Sequence, residues 1–544
     1  MIRRAVVVGL VALAGVSLEA QVTFERILRS QAEPHNWLTY GGNVQSHRHS
    51  PLTQVTPANV KNLELQWVFQ ALSLEKFEAT PIVVDGVLYT VQAPNDIVAI
   101  DATTGRTFWT YTYQASSQAS RPCCGRVNRG LAILGDRLFM GTIDGHLLAV
   151  DAKSGRLLWN VAVQGARPEA GYNFTVAPLV VKDKILIGPA GADFGIRGFL
   201  AAFDPGTGKE IWRFNTVPGP GEPGNESWAG QSWRTGGASI WTTGSYDPEL
   251  NLTYWGTGNP GPDFNGDNRA GDNLYSDSVI ALDADTGKLR WHFQFTPRDL
   301  WDYDSTQVPV LADIPWQGRT RKVMIWANRN GFLYVLDRTS GEFLSGKTFT
   351  KVTWTSGLDA KGRPQNMVKT TPEGLQVYPH FAGATNWYSP SYSPRTGLFY
   401  FSAWMDSSAF FTLRPAEYVE GRAFLGAFPT GTSLSINGTQ VNRRLPNEGT
   451  GAVLAYDPRT GERKWAFAMS DITDAGVLTT ASDLLFSGGR EGFFYALDAR
   501  TGALLWKSAV GGIVQAAPMT YAVNGRQYVA IAAGNSLYAY ALRP

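Results

Sequence analysis

The fold is decided by the stretch Ala99–Trp109, which reads Ala-Ile-Asp-Ala-Thr-Thr-Gly-Arg-Thr-Phe-Trp. Its pattern is a small residue, an apolar residue, Asp, two variable positions, Thr or Ser, Gly, three variable positions and Trp. The Asp-to-Trp part of this pattern recurs at 151–159, 204–212, 283–291, 457–465 and 498–506, and a copy at 337–341 lacks the Trp. A phrase repeated so often predicts a fold built from one structural unit.

Each copy predicts a β-hairpin. An apolar strand such as Leu147–Val150 stops at Asp, whose short side chain can accept hydrogen bonds from backbone amides in the turn. The Gly then takes a positive φ that other residues resist. The second strand ends in Trp, which is large enough to pack between sheets.

The repeat length predicts a β-propeller. Successive Trp residues are mostly 41–53 residues apart, with one interval of 79, and about 40–50 residues fit one four-stranded blade. We therefore predict an all-β, eight-bladed propeller as a single domain over residues 21–544. The strand near 63–69 would complete the blade begun by 513–542 and so close the ring. The predicted blade ends are Trp67, Trp109, Trp159, Trp212, Trp291, the region near Phe343, Trp465 and Trp506.

Two long segments, 356–390 and 405–450, are rich in turns and do not follow the repeat. Long loops on a rigid scaffold tend to carry function, so these segments are candidates for functional loops.

The N-terminus predicts export. Arg3 and Arg4 precede the apolar run 5–16, which is shorter than the roughly 20 residues of a membrane-spanning helix, and Ala20 offers a cleavage site. We predict a signal peptide at 1–20, a mature chain in the periplasm and no membrane span after the signal is removed. An uncleaved N-terminal anchor is the alternative.

Charge and cysteine content exclude other classes. The formal net charge of +2 offers no basic field for nucleic acid. The two cysteines, Cys123 and Cys124, are adjacent, and in an oxidising compartment they can bond only to each other or to another chain. We predict that they are joined. The sequence has no Cys-x-x-Cys-His, the attachment motif of c-type haem.

Several phrases outside the repeat carry candidate chemistry. Asp302 and Asp304 would point to one side of a strand, where two carboxylates repel unless a proton or cation lies between them. Gly-rich turns place oxygen donors at Asp193 and Asn259, and hard cations take such ligands. Each phrase also fits an ordinary solvated turn.

Trp241 lies outside the repeat, so it is either a stacking platform or a core residue. Arg329 precedes an apolar strand, where its charge is either solvated or directed at a ligand.

Taken together, these phrases resemble the PQQ-dependent methanol/ethanol dehydrogenase family over nearly the whole mature chain. The matching motifs, in family order, are the cysteine pair followed by Asn-Arg-Gly, the Gly-Ala-acid-x-Gly-x-Arg-Gly phrase at 191–198, Gly-Asn-Pro at 258–260 and Trp-Asp-Tyr at 301–303. The resemblance implies alcohol oxidation with pyrroloquinoline quinone (PQQ) and either Ca²⁺ or a lanthanide ion as cofactors.

The resemblance also implies roles for individual residues. Asp302 would be the catalytic base and Arg329 would lie by the reactive carbonyl of the quinone. The cysteine pair would cover one face of the quinone and Trp241 the other. The remaining implied quinone contacts are Glu78, Arg129, Thr142, Gly191, Ala192, Arg329 and Asn386, and the implied metal site is Asp193, Asn259, Asp302 and Asp304.

Two positions depart from the family pattern. Asp193 stands where Glu is usual and reaches one methylene less far. Asp474 stands where methanol enzymes have a Trp near the quinone, which favours a broader alcohol substrate range. Asp304 matches the extra aspartate of lanthanide-using members.

We therefore predict periplasmic, PQQ-dependent oxidation of a small alcohol to an aldehyde, with a separate electron acceptor such as a c-type cytochrome. Two alternatives remain at this stage. One is a non-enzymatic propeller scaffold of the outer-membrane assembly type, and the other is a PQQ sugar or aldehyde dehydrogenase.

Overall fold

The computed structural model describes residues 21–117, 119, 122–427, 429, 435–436, 439–440 and 449–543. The predicted signal peptide at 1–20 and part of the segment 405–450 lie outside these residues. Within the described ranges eight sheets, seven with four strands and one with five, form the blades of a propeller. The predicted all-β, eight-bladed fold is thus confirmed.

The blades follow one another along the chain, and we number them from the first complete one. Before it lie β1 (His49–Ser50) and β2 (Leu63–Gln70). Blade 1 comprises β3 (Ile82–Val84), β4 (Val87–Gln92), β5 (Asp96–Asp101) and β6 (Thr107–Tyr111), and blade 2 comprises β7 (Ala132–Leu134), β8 (Arg137–Gly141), β9 (His146–Asp151) and β10 (Leu157–Ala162). Blade 3 comprises β11 (Leu179–Val181), β12 (Lys184–Ile187), β13 (Phe199–Phe203) and β14 (Glu210–Asn215). Blade 4 comprises β15 (Ser245–Asp247), β16 (Leu252–Gly256), β17 (Ser278–Asp283) and β18 (Leu289–Gln294).

The later blades contain insertions. Blade 5 comprises β19 (Val310–Trp316), β20 (Arg319–Ala327), β21 (Phe332–Asp337) and β22 (Phe343–Thr348). Short strands follow, namely β23 (Gly357–Leu358), β24 (Pro364–Gln365) and β25 (Leu375–Val377). Blade 6 comprises β26 (Ser391–Ser393), β27 (Leu398–Met405), β31 (Thr450–Asp457) and β32 (Glu462–Ala468), and it is interrupted by β28 (Ala409–Phe411), β29 (Ser435–Ile436) and β30 (Thr439–Gln440). Blades 7 and 8 comprise β33 (Leu478–Thr480), β34 (Leu484–Gly488), β35 (Phe493–Asp498) and β36 (Leu504–Ala509), then β37 (Met519–Val523), β38 (Arg526–Ala533) and β39 (Ser536–Leu542).

Helical structure is sparse in the described residues. The one α-helix, α1, spans Phe24–Leu28, and its N-terminus is capped by the hydroxyl of Thr23. None of the described helices is long and apolar enough to cross a bilayer. The single-turn 3₁₀ helices are Ser30–Ala32, Val60–Asn62, Pro168–Ala170, Ala192–Phe194, Asn225–Ser227 and Ser232–Thr235.

The repeat forms the hairpin that its residues predict. In blade 2, Asp151 Oδ1 accepts hydrogen bonds from the Ser154 amide at 2.8 Å and the Ser154 hydroxyl at 2.7 Å. Gly155 follows with φ +72°. β9 and β10 then pair antiparallel, with a bulge before Trp159.

The Trp of each hairpin docks onto the following blade. Trp67 of blade 8 donates its indole N–H to the Ala102 carbonyl in the turn of blade 1, at 3.1 Å. Trp212 does the same to Ala284 at 3.2 Å. The turn Gly lies flat against the ring, since a Cβ added to Gly287 would be 2.4 Å from Trp212. The repeat therefore encodes the joint between blades as well as the hairpin.

Blade 5 lacks this joint, as its degenerate repeat indicates. Phe343 begins β22 and packs on Gly362 of the insertion, where an added Cβ would be 2.4 Å from its ring. The turn Gly of blade 6, Gly461, faces Lys347 in place of a Trp.

The ring closes as predicted. β2 pairs antiparallel with β39, and the blade 8 sheet runs β2-β39-β38-β37. The N-terminal strand is thus the outer strand of a blade whose other three strands are the last in the chain. β1 pairs in parallel with β33 and lies at the inner edge of the blade 7 sheet.

Candidate active site

One cavity of about 250 Å³ lies where the first strands of the blades begin. Each of the eight blades contributes a lining side chain from the loop three to six residues before the innermost of its own four strands. These eight are Glu78, Arg129, Thr175, Trp241, Asp304, Asn386, Asp474 and Gln515. The innermost strands surround the propeller axis, so the cavity lies on that axis.

The cavity has an aromatic and cationic wall. The Arg129 guanidinium lies 4.9 Å from the ring centre of Trp241 and 4.6 Å from that of Trp387. Arg129 Nη2 is 2.9 Å from Glu78 Oε2, and Nη1 donates to the Thr175 hydroxyl at 2.9 Å. The Nε of Arg129 is buried without a hydrogen-bond partner in the described part of the chain. A flat anionic molecule is the kind of ligand that such a wall fits.

The cysteine pair lies at the mouth of the cavity. Both side chains are exposed thiols and no bond joins them. The structure therefore does not show the predicted disulfide. The neighbouring Cys124 thiol and the Asp193 carboxylate raise the pKa of Cys123 well above its usual value.

Acidic side chains gather beside Arg329. Its Nη1 is 2.5 Å from Asp304 Oδ2, and its Nη2 is 3.2 Å from Asp302 Oδ2. The backbone N–H of Asn259 donates to Asp304 Oδ1 at 2.8 Å. The sequence-based placement of Asp302 and Asp304 on a strand is wrong, because residues 301–309 form a loop in which Asp302 has φ +60°. The turn still brings both carboxylates to the cavity.

Burial and mutual repulsion disfavour the charged forms of these carboxylates. Burial raises the pKa of Asp302 well above its usual value, and Asp304, Asp263 and Asp193 add to the rise against the opposing charge of Arg329. The pKa of Asp193 is also raised, by burial and by Asp304. Although burial alone would lower it, the carboxylates of Asp302 and Asp304 raise the pKa of Arg329. A cluster of this kind is stabilised by added protons or by a cation.

The donor set suits a hard cation. Asp193, Asn259, Asp302 and Asp304 all line the cavity and present carboxylate or amide oxygens. Asp193 lies in the 3₁₀ turn Ala192–Phe194, between glycines with positive φ. Among the described residues no three His, Cys, Asp or Glu side chains are arranged to hold a metal as they stand. The carboxylates of Asp302 and Asp304 are instead turned to Arg329.

The structure brings all but one of the sequence-predicted residues to this cavity. The exception is Thr142, which follows β8 inside blade 2. Its hydroxyl donates to Asp144 Oδ1 at 2.5 Å and accepts from the His146 amide at 3.0 Å, so it completes a turn. Residues that do line the cavity are Glu78, Cys123, Cys124, Arg129, Gly191, Ala192, Asp193, Trp241, Asn259, Asp302, Asp304, Arg329 and Asn386.

Thr175 and Gln515 also line the cavity and were missed from sequence, and Asp474 was noted only as a departure from the family pattern. Thr175 holds Arg129, and Asp474 accepts hydrogen bonds from Tyr388 at 2.8 Å and Arg490 at 2.8 Å. Thr175, Asp474 and Gln515 stand four residues before an innermost strand, so the register of the blades could have found them. Phe381, Trp387 and Tyr388 come from the irregular segment 356–390, which thus covers the site.

Comparisons with known proteins agree with this geometry. A family model described as glucose/ethanol/alcohol dehydrogenase, beta-propeller domain, matches residues 37–353. Another, described as outer membrane protein assembly factor BamB, matches residues 449–543. The quinohemoprotein alcohol dehydrogenase ADH IIB of Pseudomonas putida is 39% identical over 95% of this chain and 76% of its own length.

Solved structures are similar over nearly the whole chain. The quinohemoprotein alcohol dehydrogenase of Comamonas testosteroni superposes with a TM-score of 0.89 at 35% identity, covering 96% of this chain and 82% of its own. A europium-containing methanol dehydrogenase superposes with a TM-score of 0.87 at 31% identity, covering 95% of this chain and 100% of its own.

Proposed function

Because the chain belongs to the PQQ-dependent quinoprotein alcohol dehydrogenase family, we propose that it oxidises a small alcohol to an aldehyde with PQQ and a metal ion. One observation carries this proposal. Asp302 and Arg329 lie side by side in the wall of a cavity that Trp241 and the cysteine pair also line. A scaffold propeller needs no buried carboxylate and guanidinium of this kind, so the enzyme hypothesis is favoured over the scaffold hypothesis.

Trp241 and the pair Cys123–Cys124 would hold the two faces of PQQ. Its carboxylates would bind Arg129 and neighbouring donors at the rim, since Arg129 Nε lacks a partner among the described residues. Glu78, Asn386 and the backbone at Gly191 and Ala192 would complete the edges. Thr175 takes over the part first given to Thr142, because Thr175 lines the cavity and Thr142 does not.

When bound, PQQ supplies a quinone that accepts a hydride equivalent from the alcohol carbon, and the metal supplies a Lewis acid. The chain's own part is to handle the proton and the charge. Asp302 would accept the hydroxyl proton as general base. Arg329 would present positive charge where negative charge develops in the transition state. The 3.2 Å contact between their side chains also fixes Asp302 in place.

Asp193, Asn259, Asp302 and Asp304 would hold the metal, either Ca²⁺ or a lanthanide. Three carboxylates around a divalent ion leave a strongly negative cluster, and PQQ adds a carboxylate of its own. A trivalent lanthanide is similarly hard and carries one more charge, so it should compensate the cluster better. A europium-containing methanol dehydrogenase among the structural relatives supports this preference.

Electrons would leave to a separate carrier such as a c-type cytochrome. The 544 residues contain no Cys-x-x-Cys-His, the motif that attaches a c-type haem. The apolar N-terminal segment supports export to the periplasm, followed by removal of residues 1–20.

Reconstitution tests the proposal. The purified mature chain, loaded with PQQ and either Ca²⁺ or La³⁺, should reduce an artificial dye when given primary alcohols. A panel that includes aldehydes and sugars separates the alcohol reading from a sugar or aldehyde dehydrogenase. A chain that takes up no PQQ, judged by quinone absorbance, would support the scaffold reading instead.

The metal preference has its own test. We expect higher dye reduction with La³⁺ than with Ca²⁺, and we expect Asp304→Ala to remove that difference, because it deletes the third carboxylate. Full activity with Ca²⁺ alone, unchanged in Asp304→Ala, would show that Asp304 is no metal ligand and acts only through Arg329.

A further inference from the structure

An arginine with no role in the proposed reaction lines the cavity on the side of blade 7. Arg490 lies between β34 and β35, and its guanidinium is 5.3 Å from the ring centre of Trp404. Its Nε donates a hydrogen bond to Asp474 Oδ2 at 2.8 Å. In the described part of the chain, Nη1 and Nη2 donate no hydrogen bond, and unlike the Nε of Arg129 they are not sealed from solvent. Two charged donors thus remain accessible on a residue of the cavity wall.

The carboxylate of Asp474 is fully engaged within the same wall. Its Oδ1 accepts a hydrogen bond from the Tyr388 hydroxyl at 2.8 Å, and its Oδ2 accepts one from Arg490 and one from Gln515 Nε2 at 3.3 Å. The Asp474 side chain is only 5% exposed. Asp474 therefore fixes the guanidinium of Arg490, and both of its own oxygens already have donors.

The cavity is short of positive charge for an anionic ligand. Carboxylates outnumber cations among its described lining residues. The carboxylates are Glu78, Asp193, Asp302, Asp304 and Asp474, and the cations are Lys76, Arg129, Arg329 and Arg490. PQQ brings three carboxylates of its own, and a carboxylate that leaves water without a cation or donor beside it is costly. Each accessible cation in the wall therefore matters for holding the quinone.

The three arginines lie at separate positions around the propeller axis. Arg129 precedes the first strand of blade 2, Arg329 lies between the second and third strands of blade 5, and Arg490 lies between those of blade 7. They are two or three blades apart in a ring of eight, so they face different edges of a flat ligand on the axis. The proposed metal would neutralise one carboxylate of PQQ and Arg129 another, which leaves the third to a different cation.

We propose that Arg490 binds a carboxylate of PQQ through Nη1 and Nη2, in the paired geometry that a guanidinium offers to a carboxylate. This inference rests on the proposed function, because the ligand is the quinone of that reaction. The hydrogen bond from Nε to Asp474 occupies the opposite side of the guanidinium and leaves the two terminal nitrogens for the ligand.

PQQ affinity, measured without turnover, tests this contact. The full chain is titrated with PQQ in the presence of La³⁺, and the quenching of Trp fluorescence is followed. We expect Arg490→Gln to weaken PQQ binding by about 10–100-fold, because a charge-assisted pair of hydrogen bonds is lost. Arg490→Lys should recover part of the affinity. PQQ binding by the Gln variant should also depend less on NaCl concentration than binding by the wild type.

An arginine outside the cavity provides the matched control. Arg500 also belongs to blade 7, and its Nε donates to Asp483 Oδ2 at 3.0 Å, but it does not line the cavity. Arg500→Gln thus removes an arginine paired with an aspartate from the same blade, and it should bind PQQ as the wild type does.

A double variant separates direct contact with PQQ from simple neutralisation of Asp474. Arg490→Gln leaves the buried carboxylate of Asp474 without its cation, which by itself would repel PQQ or destabilise the fold. The combination of Asp474→Asn with Arg490→Gln removes both charges, so it also serves if the single variant does not fold. If Arg490 contacts the quinone, the double variant should still bind PQQ about 10–100-fold more weakly than the wild type.

Three results would overturn the inference for different reasons. Wild-type PQQ affinity in the double variant would show that Arg490 only neutralises Asp474. Unchanged PQQ affinity in Arg490→Gln would exclude the contact, and a raised KM for a hydroxy acid in that variant would assign the guanidinium to a carboxylate of the substrate. If the wild-type chain itself takes up no PQQ, the proposed function fails, and the role of Arg490 fails with it.

Discussion

Asp302 and Arg329 contact each other at the propeller axis, but they have different roles in the proposed reaction. Arg329 is held by two carboxylates and the Phe381 carbonyl, so it stays charged. Asp302 contacts Arg329 through Oδ2 and lines the cavity. It can therefore exchange a proton without losing its position.

Asp302→Asn should abolish most of the turnover and preserve the fold. An amide is nearly the same size as a carboxylate but cannot accept the alcohol proton, and loss of a general base typically costs about 10²–10⁴-fold in rate. Dye reduction by the PQQ-loaded variant measures the loss, and quinone absorbance confirms that the cofactor still binds. Activity at the wild-type level would assign the base to another residue.

The cysteine pair gives a second prediction at this scale. Adjacent thiols in an exported chain should oxidise to a disulfide, since they have no other cysteine to bond within the chain. Thiol titration of the unreduced, denatured mature protein should find no free thiol. Two free thiols, as in the structure, or a disulfide-linked dimer on a non-reducing gel would contradict the predicted pairing.

At the scale of residues, short sequence motifs were enough to predict many of the residues that line the cavity. Asp193, Asn259 and Asp302 stand in phrases that are readable from sequence alone. Thr142 was misplaced because a Thr has no distinctive neighbours, and only the register of the blades distinguishes it from Thr175.

At the scale of elements, the repeat phrase couples each blade to the next. The turn Gly of one blade presses on the Trp of the blade before it, and that Trp donates a hydrogen bond to the same turn. The hairpin part of this arrangement was predictable from Asp, Gly and Trp. The docking partner was not, because spacing along the chain does not say which sheet a Trp meets.

Gly287→Ala should weaken the joint between blades 3 and 4. The added methyl would lie 2.4 Å from the Trp212 ring and the residue keeps φ +68°, so we expect a loss of about 2–4 kcal/mol from overpacking and backbone strain together. Gly525→Ala is the control. It has a similar φ of +75° but nothing within 4 Å, and it should lose about 1 kcal/mol.

Urea unfolding followed by Trp fluorescence measures both variants. Equal losses in the two would show that backbone strain alone matters and that the contact between Gly287 and Trp212 adds nothing.

At the scale of the whole molecule, stability depends on closure of the ring. β39 pairs with β2 on one side and with β38 on the other. The repeat length and the unmatched strands at the two ends were enough to predict this closure. The insertion that covers the cavity was recognisable only as irregular, because its packing depends on contacts with several blades.

A chain that ends after Asn535 lacks β39 and should fail to form a compact monomer, since β2 and β38 would then present unpaired edges. Size-exclusion chromatography and circular dichroism measure the outcome. A chain without only the last two residues loses the exposed contact between Arg543 and Glu64 and should behave as the wild type. A compact monomer from the longer truncation would show that the pairing of β39 with β2 is not needed to hold the ring.

The pairing of β2 with β39 also sets the order of events in biosynthesis. Leu63 leaves the ribosome long before its partner Leu542 is made. This blade therefore cannot assemble until Leu542 has been made, and closure of the ring depends on a contact of high sequence separation. A polypeptide whose ring is still open can be threaded through a narrow channel and a closed ring cannot, so late closure is compatible with the predicted export of the chain.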